Sequence, residues 1–63
     1  MCESKLYLIE GDDRKLIMEE AVLVKKKDSK IIAVGLLGQR EDIEGANIVE
    51  VDSDRHMIII KRD

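Results

Sequence analysis

The sequence predicts an all-β fold: a small curled antiparallel sheet or half-open barrel of five to seven short strands that forms a dimer. Turn-forming residues recur at short intervals, and the segments between them are rich in β-branched residues, which is typical of strands joined by hairpins. Because a single domain of residues 1–63 buries only about 60% of its unfolded surface, we expect a second copy, a metal or both to add stability. The turn signals are Gly11-Asp12-Asp13, Asp28-Ser29, Gly38, Gly45 and Asp52-Ser53-Asp54.

The first three predicted strands precede the second turn signal. In Lys5–Glu10, Leu6 and Leu8 share one face and alternate with the residues of the other face, as in a half-buried strand. Lys15–Met18 follows the first glycine turn, and Ala21–Lys26 begins with a run of small and branched apolar residues. Both are therefore predicted as strands.

A helix over Asp13–Lys26 is the rival prediction for this part of the chain. The segment contains neither proline nor glycine, so nothing in it would break a helix. Its apolar spacing near 3.6 residues also fits one. We favour strand because the run Ala21–Val24 is continuous. The helically spaced positions are Leu16, Ile17, Ala21 and Val24.

Three further strands are predicted in the second half. Lys30–Leu37 and Met57–Lys61 contain the continuous runs Ile31-Ile32 and Ile58–Ile60, whereas Asn47–Val51 alternates. Continuous apolar runs are typical of strands covered on both faces, here by a barrel interior and by a second subunit. We expect the remaining apolar face to pair with another copy.

Composition narrows the class of protein. Eleven Lys and Arg against 14 Asp and Glu give a net charge of -3, whereas free-standing nucleic-acid modules are usually basic. The sequence contains no run of about 18 apolar residues, so it predicts no membrane span. The N-terminal segment lacks the basic start and apolar core of a signal peptide. One cysteine allows no intramolecular disulfide, so a cytoplasmic protein is expected.

No group of residues predicts catalysis, and we expect no enzyme. Ser53 and His56 are three residues apart in a turn, which does not make a catalytic triad. Gly35–Gly38 lacks the Lys-Ser/Thr of a phosphate loop and is interpreted as a strand bulge and turn. Asp52 and Asp54 begin like a calcium loop, but the glycine and distal glutamate are missing, so an acidic hairpin turn is predicted.

The basic residues Lys25, Lys26, Lys27 and Lys30 are candidate nucleic-acid contacts. They support an alternative function, a small β-barrel that binds RNA or a protein and no metal. No aromatic residues lie among them to stack on bases, and at a pI near 5.1 attraction to phosphate would be weak. We therefore favour a solvated strand end.

Cys2 is the candidate metal ligand because of its place in the chain. If Met1 is removed, Cys2 carries an α-amine and a thiol on adjacent carbons, which close a five-membered chelate ring on a metal. If Met1 stays, its amine, the Cys2 amide nitrogen and the thiolate form two fused rings. Planar N/S donor sets suit Ni(II) or Cu(II) better than Zn(II). Two copies of Cys2 across a two-fold axis would complete four donors.

The sequence resembles the CooT family over essentially the whole chain. The similar segments are Met1-Cys2-Glu3-Ser4-Lys5-Leu6-Tyr7-Leu8, Ile17–Val22, Ile31-Ile32, Leu36-Leu37-Gly38 and Asn47–Asp52. The resemblance implies a compact β homodimer that binds nickel through Cys2 and serves as an accessory protein in nickel delivery to carbon monoxide dehydrogenase. The family has also been labelled as predicted RNA-binding, and this acidic sequence supports that label poorly. The expected partners are a second copy and a nickel enzyme or its maturation proteins, with Ni(II) as the metal and RNA as the alternative.

Overall fold

The computed structural model of the protein describes residues 3–62, and Cys2 lies outside these residues. Six strands make up this part of the chain, and no helix interrupts them. The strands are β1 (Ser4–Glu10), β2 (Asp13–Lys27), β3 (Lys30–Gly35), β4 (Arg40–Glu44), β5 (Ala46–Asp52) and β6 (Met57–Arg62).

The strands form one sheet in the order β4-β3-β2-β1-β6-β5, which confirms the all-β prediction. All neighbouring pairs are antiparallel except β1 and β6, which run parallel from Lys5↔Met57 to Glu10↔Arg62. The expectation of a wholly antiparallel sheet was therefore wrong at this pair. The sheet is mixed, and it does not close into a barrel. The continuous run Ile58–Ile60 accords with a parallel strand that has a neighbour on each side.

β2 is one long strand of 15 residues, where the sequence predicted two short strands or a helix. Its first part, from Asp13 to Ala21, pairs with β1, and its last part, from Ala21 to Lys27, pairs with β3. The helix over Asp13–Lys26 was wrong because both neighbours bind this backbone in extended form. Register shifts in both pairings show that β2 is irregular where it passes from one partner to the other.

β4 is absent from the predicted strands. Ile43 is its only apolar residue and its only buried one, so the segment lacks the apolar pattern by which strands are recognised. Its pairing with β3 supplies the backbone hydrogen bonds that hold it extended. β4 forms one edge of the sheet and presents charged side chains there, which discourages pairing with other chains.

A tight turn at Gly45 joins the two edge strands, β4 and β5. Gly45 has φ +73°, a conformation that residues with a Cβ rarely adopt. Its N–H donates to the Ser29 carbonyl oxygen at 2.7 Å, so this turn contacts the β2–β3 hairpin. The first and last strands of the sheet, β4 and β5, are thereby joined through a single residue. The sheet therefore curls.

The core lies on the concave side of this curl. β3 and β5 come into contact there although they are not hydrogen-bonded neighbours. Ile31 and Ile60 from the two continuous runs are fully buried. Ile59 on the other face is also buried within the single chain, so a second subunit is not needed to cover it. The buried cluster consists of Leu6, Leu8, Met18, Ala21, Ile31, Ala33, Ile43, Ala46 and Ile60.

Candidate functional site

The described residues nearest to Cys2 are held firmly by the sheet. Ser4, the first residue of β1, lies opposite Ala21 of β2. The Lys5 N–H donates to the His56 carbonyl oxygen at 2.9 Å. β1 therefore has a paired neighbour on each side from its first residues onward. Cys2 is two residues before Ser4 in the sequence, so covalent geometry keeps their Cα atoms within ~7 Å of each other.

His56 lies at the same end of the sheet as the start of β1. It is exposed and adopts φ +54°, a left-handed conformation in the turn that leads into β6. The described contact to β1 is made by its carbonyl oxygen. Glu3 is half-buried, and its Oε2 is shielded from solvent without a hydrogen-bond partner among residues 3–62.

The acidic turn between β5 and β6 agrees with the sequence interpretation. Asp52 Oδ1 accepts a hydrogen bond from the Arg55 N–H at 3.0 Å, and the Arg55 Nε lies 3.8 Å from Asp52 Oδ2. The Asp52 carboxylate thus caps the turn. In the described part of the chain, no group of three His, Cys, Asp or Glu side chains is placed to hold a metal ion.

The structure separates the four candidate RNA-contacting lysines. Lys26 Nζ donates to the Ala46 carbonyl oxygen and to Asn47 Oδ1, both at 2.7 Å, across the curl of the sheet. Lys30 Nζ lies 2.9 Å from Asp42 Oδ2. Successive side chains of a strand alternate between faces, so Lys26 points away from the face of Lys25. The basic run is therefore not one continuous cationic surface.

Lys30 belongs to an ion-pair network on β3 and β4. Arg40 Nε lies 2.8 Å from Asp42 Oδ1, so Asp42 is contacted by two cations. Hydrogen bonds from Arg40 and then Lys30 hold the pKa of the Asp42 carboxyl well below its ordinary value. The same Asp42 contact raises the pKa of Arg40. This network neutralises charge at the β4 edge and involves no cleft.

A second network lies at the end of the sheet where β1 finishes. Arg62 Nη2 is 2.8 Å and Lys15 Nζ is 3.5 Å from the Glu10 carboxylate. The hydrogen bond from Arg62 is the main cause that lowers the pKa of Glu10. Because Glu10 and Arg62 are the last register pair of β1 and β6, the contact supports the parallel pairing.

Exposed apolar side chains are the surface feature that the strand prediction missed. They lie on β2, in the β3–β4 turn and on β5. Leu36 and Leu37 carry a signal in the sequence, because two leucines are unusual in a glycine-flanked turn. The exposed large apolar residues are Leu16, Val22, Leu23, Leu36, Leu37, Ile48, Val49 and Val51.

The fold and surface define a small single-sheet β protein with charged networks and apolar patches on its outside. Residues 3–62 contain no pocket. They also include no helix with the length and apolar character needed to cross a membrane.

Residues 1–61 match the model of the family described as CO dehydrogenase accessory protein CooT. The chain belongs to this family, which is a family of accessory proteins, and the predicted resemblance is confirmed. The uncharacterised protein MJ1551 of Methanocaldococcus jannaschii is 33% identical over 61 residues, which is 97% of this chain and 98% of that protein. A crystal structure assigned as CooT from Carboxydothermus hydrogenoformans is similar with a TM-score of 0.83 and 22% identity, over 98% of each chain. This last similarity supports the fold.

Proposed function

We propose that this protein is a homodimeric, metallochaperone-like accessory protein that holds Ni(II) through Cys2 of both subunits. In this proposal nickel is cargo for a nickel enzyme or its maturation proteins, with CO dehydrogenase as the client named for the family. The protein acts in the cytoplasm, where a free thiol stays reduced. The observation that carries the proposal is the family match over residues 1–61, which includes Cys2.

The donor chemistry supports nickel and a second copy. One chain supplies a single thiolate, and residues 3–62 offer no cluster of three metal-binding side chains. A thiolate and a backbone or terminal nitrogen from each subunit give two sulfur and two nitrogen donors. Such a set in one plane fits Ni(II), whereas Zn(II) prefers a tetrahedron.

The strand that follows Cys2 in the sequence, β1, is paired with a neighbouring strand on each side. Ser4 pairs with Ala21, and Lys5 is hydrogen-bonded to His56, so β1 is held from its first residues. Cys2 is only two residues before Ser4, the first residue of this strand. Less conformational entropy is lost on metal binding when the donors are attached to an ordered strand than when they lie at the end of a long flexible tail.

Proton release makes the affinity depend on pH. A free thiol has a pKa of about 8.5 and an α-amine of about 7.7–8.0, and both must lose a proton to bind the metal. Each such proton lowers the apparent affinity by up to about 10-fold per pH unit below its pKa. With two thiols and two amines per site, nickel affinity should fall by several orders of magnitude between pH 8 and pH 6.

A nickel titration of tag-free protein tests the proposal. The N-terminus is identified by mass spectrometry, and Cys2→Ser serves as the control. We expect one nickel per dimer with a thiolate charge-transfer band, both lost in the control. A Cys2→Ser protein that binds one nickel per dimer with unchanged affinity would refute thiolate ligation.

The RNA- or protein-binding alternative makes a different prediction. It assigns phosphate contacts to Lys25, Lys26, Lys27 and Lys30, and RNA binding would weaken steeply with salt and with Lys→Glu changes at these positions. Because Lys26 and Lys30 already bond within the domain, we expect no shift of RNA mobility at low salt. A shift that disappears in Lys25→Glu/Lys27→Glu would favour the alternative.

A further inference from the structure

β5 is an edge strand that the rest of the domain leaves largely uncovered. It lies at one end of the strand order, so within residues 3–62 only β6 pairs with it. Lys26 holds its first two residues from across the curl, through the Ala46 carbonyl oxygen and Asn47 Oδ1. From Ile48 to Val51 every residue is exposed. In the described part of the chain, the free edge beyond Asn47 therefore presents backbone N–H and C=O groups with no strand beside them.

The core-facing side of β5 opens progressively along the strand. Ile48 pairs in register with Ile60, a member of the buried core, and Val51 pairs with Ile58, which packs against that core. Side chains opposite each other in an antiparallel pair point to the same face, so Ile48 and Val51 also point to the core side. Exposure at the core-facing positions nevertheless rises from 0% at Ala46 to 39% at Ile48 and 64% at Val51. The core is thus open along the last part of β5.

Val49 adds a third exposed apolar side chain to this strand. A register shift between Ile48 and Glu50 leaves Val49 without a register partner on β6, and it is 55% exposed. This irregularity disfavours indiscriminate pairing, but β5 lacks the lysine or proline that usually protects an edge strand, and it lacks the many charges of the β4 edge. Free backbone groups beside exposed apolar side chains are the features to which an extended segment of a partner adds as a further strand.

The charge of β5 discriminates between partners. Its only charged residues are Glu50 and Asp52, so the strand is acidic and would repel the phosphates of RNA. Pairing with β5 of a second copy would bring like charges together without a compensating cation. Glu50 is the register partner of Ile59, on the face opposite the core. It is exposed and makes no ion pair in the described part of the chain, so it is available to a cation of the partner.

We infer that the free edge of β5, from Ile48 to Asp52, binds an extended segment of a partner protein in which apolar residues alternate with lysine or arginine. The segment adds to the sheet as a further strand, and its backbone bonds to the free edge. Its apolar side chains cover Ile48 and Val51 on the core-facing side, and its cations lie beside Glu50 on the other face. The inference goes beyond the proposed metal-binding function, and Cys2 takes no part in it.

An NMR titration of isotope-labelled protein, without nickel, tests the inference. The probe is a blocked peptide of about seven residues in which valine and lysine alternate. We expect it to shift the amide signals of Ile48–Asp52 and to slow their hydrogen exchange, because the added strand bonds to these groups. Two isomers of the peptide, N-methylated at its odd or at its even amides, locate the hydrogen bonds. One isomer should bind at least about 10-fold more weakly than the other, since it loses the hydrogen bonds to the edge.

Val51→Lys is the test variant, and Leu16→Lys is the matched control. Both add one positive charge at an exposed apolar position. Val51→Lys should weaken peptide binding by at least about 10-fold, because it removes an apolar contact and repels the lysines of the peptide. Leu16 lies on β2, three strand spacings or ~14 Å from β5, which exceeds the screening length of about 8 Å at physiological salt. Leu16→Lys should therefore change the affinity by less than about 3-fold.

Several results would overturn the inference. They are the absence of any shift of the β5 amides at about 1 mM peptide, equal affinities of the two N-methylated isomers, equal losses in the two variants, and equally tight binding of a valine–glutamate peptide. A wild-type dimer that Val51→Lys dissociates would do so too, because the edge would then serve a second copy. The NMR spectra show whether each variant folds. The comparison of the N-methylated isomers uses wild-type protein alone, so it decides the question even if a variant does not fold.

Discussion

Replacement of Ile60 by valine removes one methyl group from the centre of the sheet. Ile60 is fully buried, and its register partners are Leu8 in the parallel neighbour β1 and Ile48 in the antiparallel neighbour β5. A buried Ile→Val change costs about 0.5–1.5 kcal/mol of unfolding free energy, from lost transfer energy and the small cavity that remains. Both residues are β-branched, so the strand preference of the backbone is kept.

The size of this effect is measurable against the stability of so small a domain. For 63 residues, at about 0.05–0.15 kcal/mol per residue, the total unfolding free energy is about 3–9 kcal/mol. The unfolding entropy of about 2.1 cal/mol/K per residue gives about 0.13 kcal/mol/K for the chain. A loss of about 1 kcal/mol therefore lowers Tm by about 7–8 °C.

Thermal and urea unfolding at one fixed protein concentration measure the change, with Ile48→Val as the matched control. Ile48 lies opposite Ile60 in the register but is 39% exposed on the edge strand. The same methyl deletion there should cost less than about half as much, since part of the group stays in water. If Ile48→Val destabilises the protein as much as Ile60→Val, the difference in burial between the two positions is not the cause of the effect.

Three further changes test other features. Asp42→Asn should lower Tm at neutral pH, and the difference from wild type should shrink as the pH falls below about 4. A carboxyl group with a depressed folded-state pKa contributes its full stabilisation above its unfolded pKa of about 3.9, and this contribution decreases as the pH falls from there toward the folded-state pKa. A Tm difference as large at pH 2 as at pH 7 would contradict this reasoning. Gly45→Ala should cost about 1–2 kcal/mol in urea unfolding because φ is +73°, and Gly45→Asn should cost less; equal costs would show that the left-handed backbone is not the cause. Lys26→Met should cost about 1 kcal/mol through its lost hydrogen bond to the Ala46 carbonyl, whereas Lys25→Met should be nearly neutral in the same assay, and a reversed order would rule out this contact.

The elements that were predicted correctly depend on local chemistry. Gly11 and Asp28 adopt positive φ in two of the predicted turns, and Asp52 caps a third. Glycine and Asx residues favour these conformations by themselves, so the turns can be predicted from the residue types alone. The alternation of Leu6 and Leu8 likewise identifies the buried face of β1.

The elements that were missed depend on partners far away in the chain. β4 has a single buried residue, Ile43, and is a strand because β3 pairs with it. β2 continues through Glu19 and Glu20 because β1 and β3 overlap its two parts. Neither segment carries a pattern strong enough to be recognised alone, since β propensity depends on neighbouring strands.

The amino-acid sequence by itself determined the all-β class, most of the turn positions, the family and the donor chemistry expected at Cys2, because each depends on residue type and short spacing. Only the tertiary structure decided that β1 and β6 pair in parallel, that Lys26 bonds across the curl, and that the Leu36 N–H donates to the Glu20 carbonyl oxygen. Such arrangements depend on which distant strands pair, and that choice follows from the summed burial and backbone hydrogen bonding of the whole sheet.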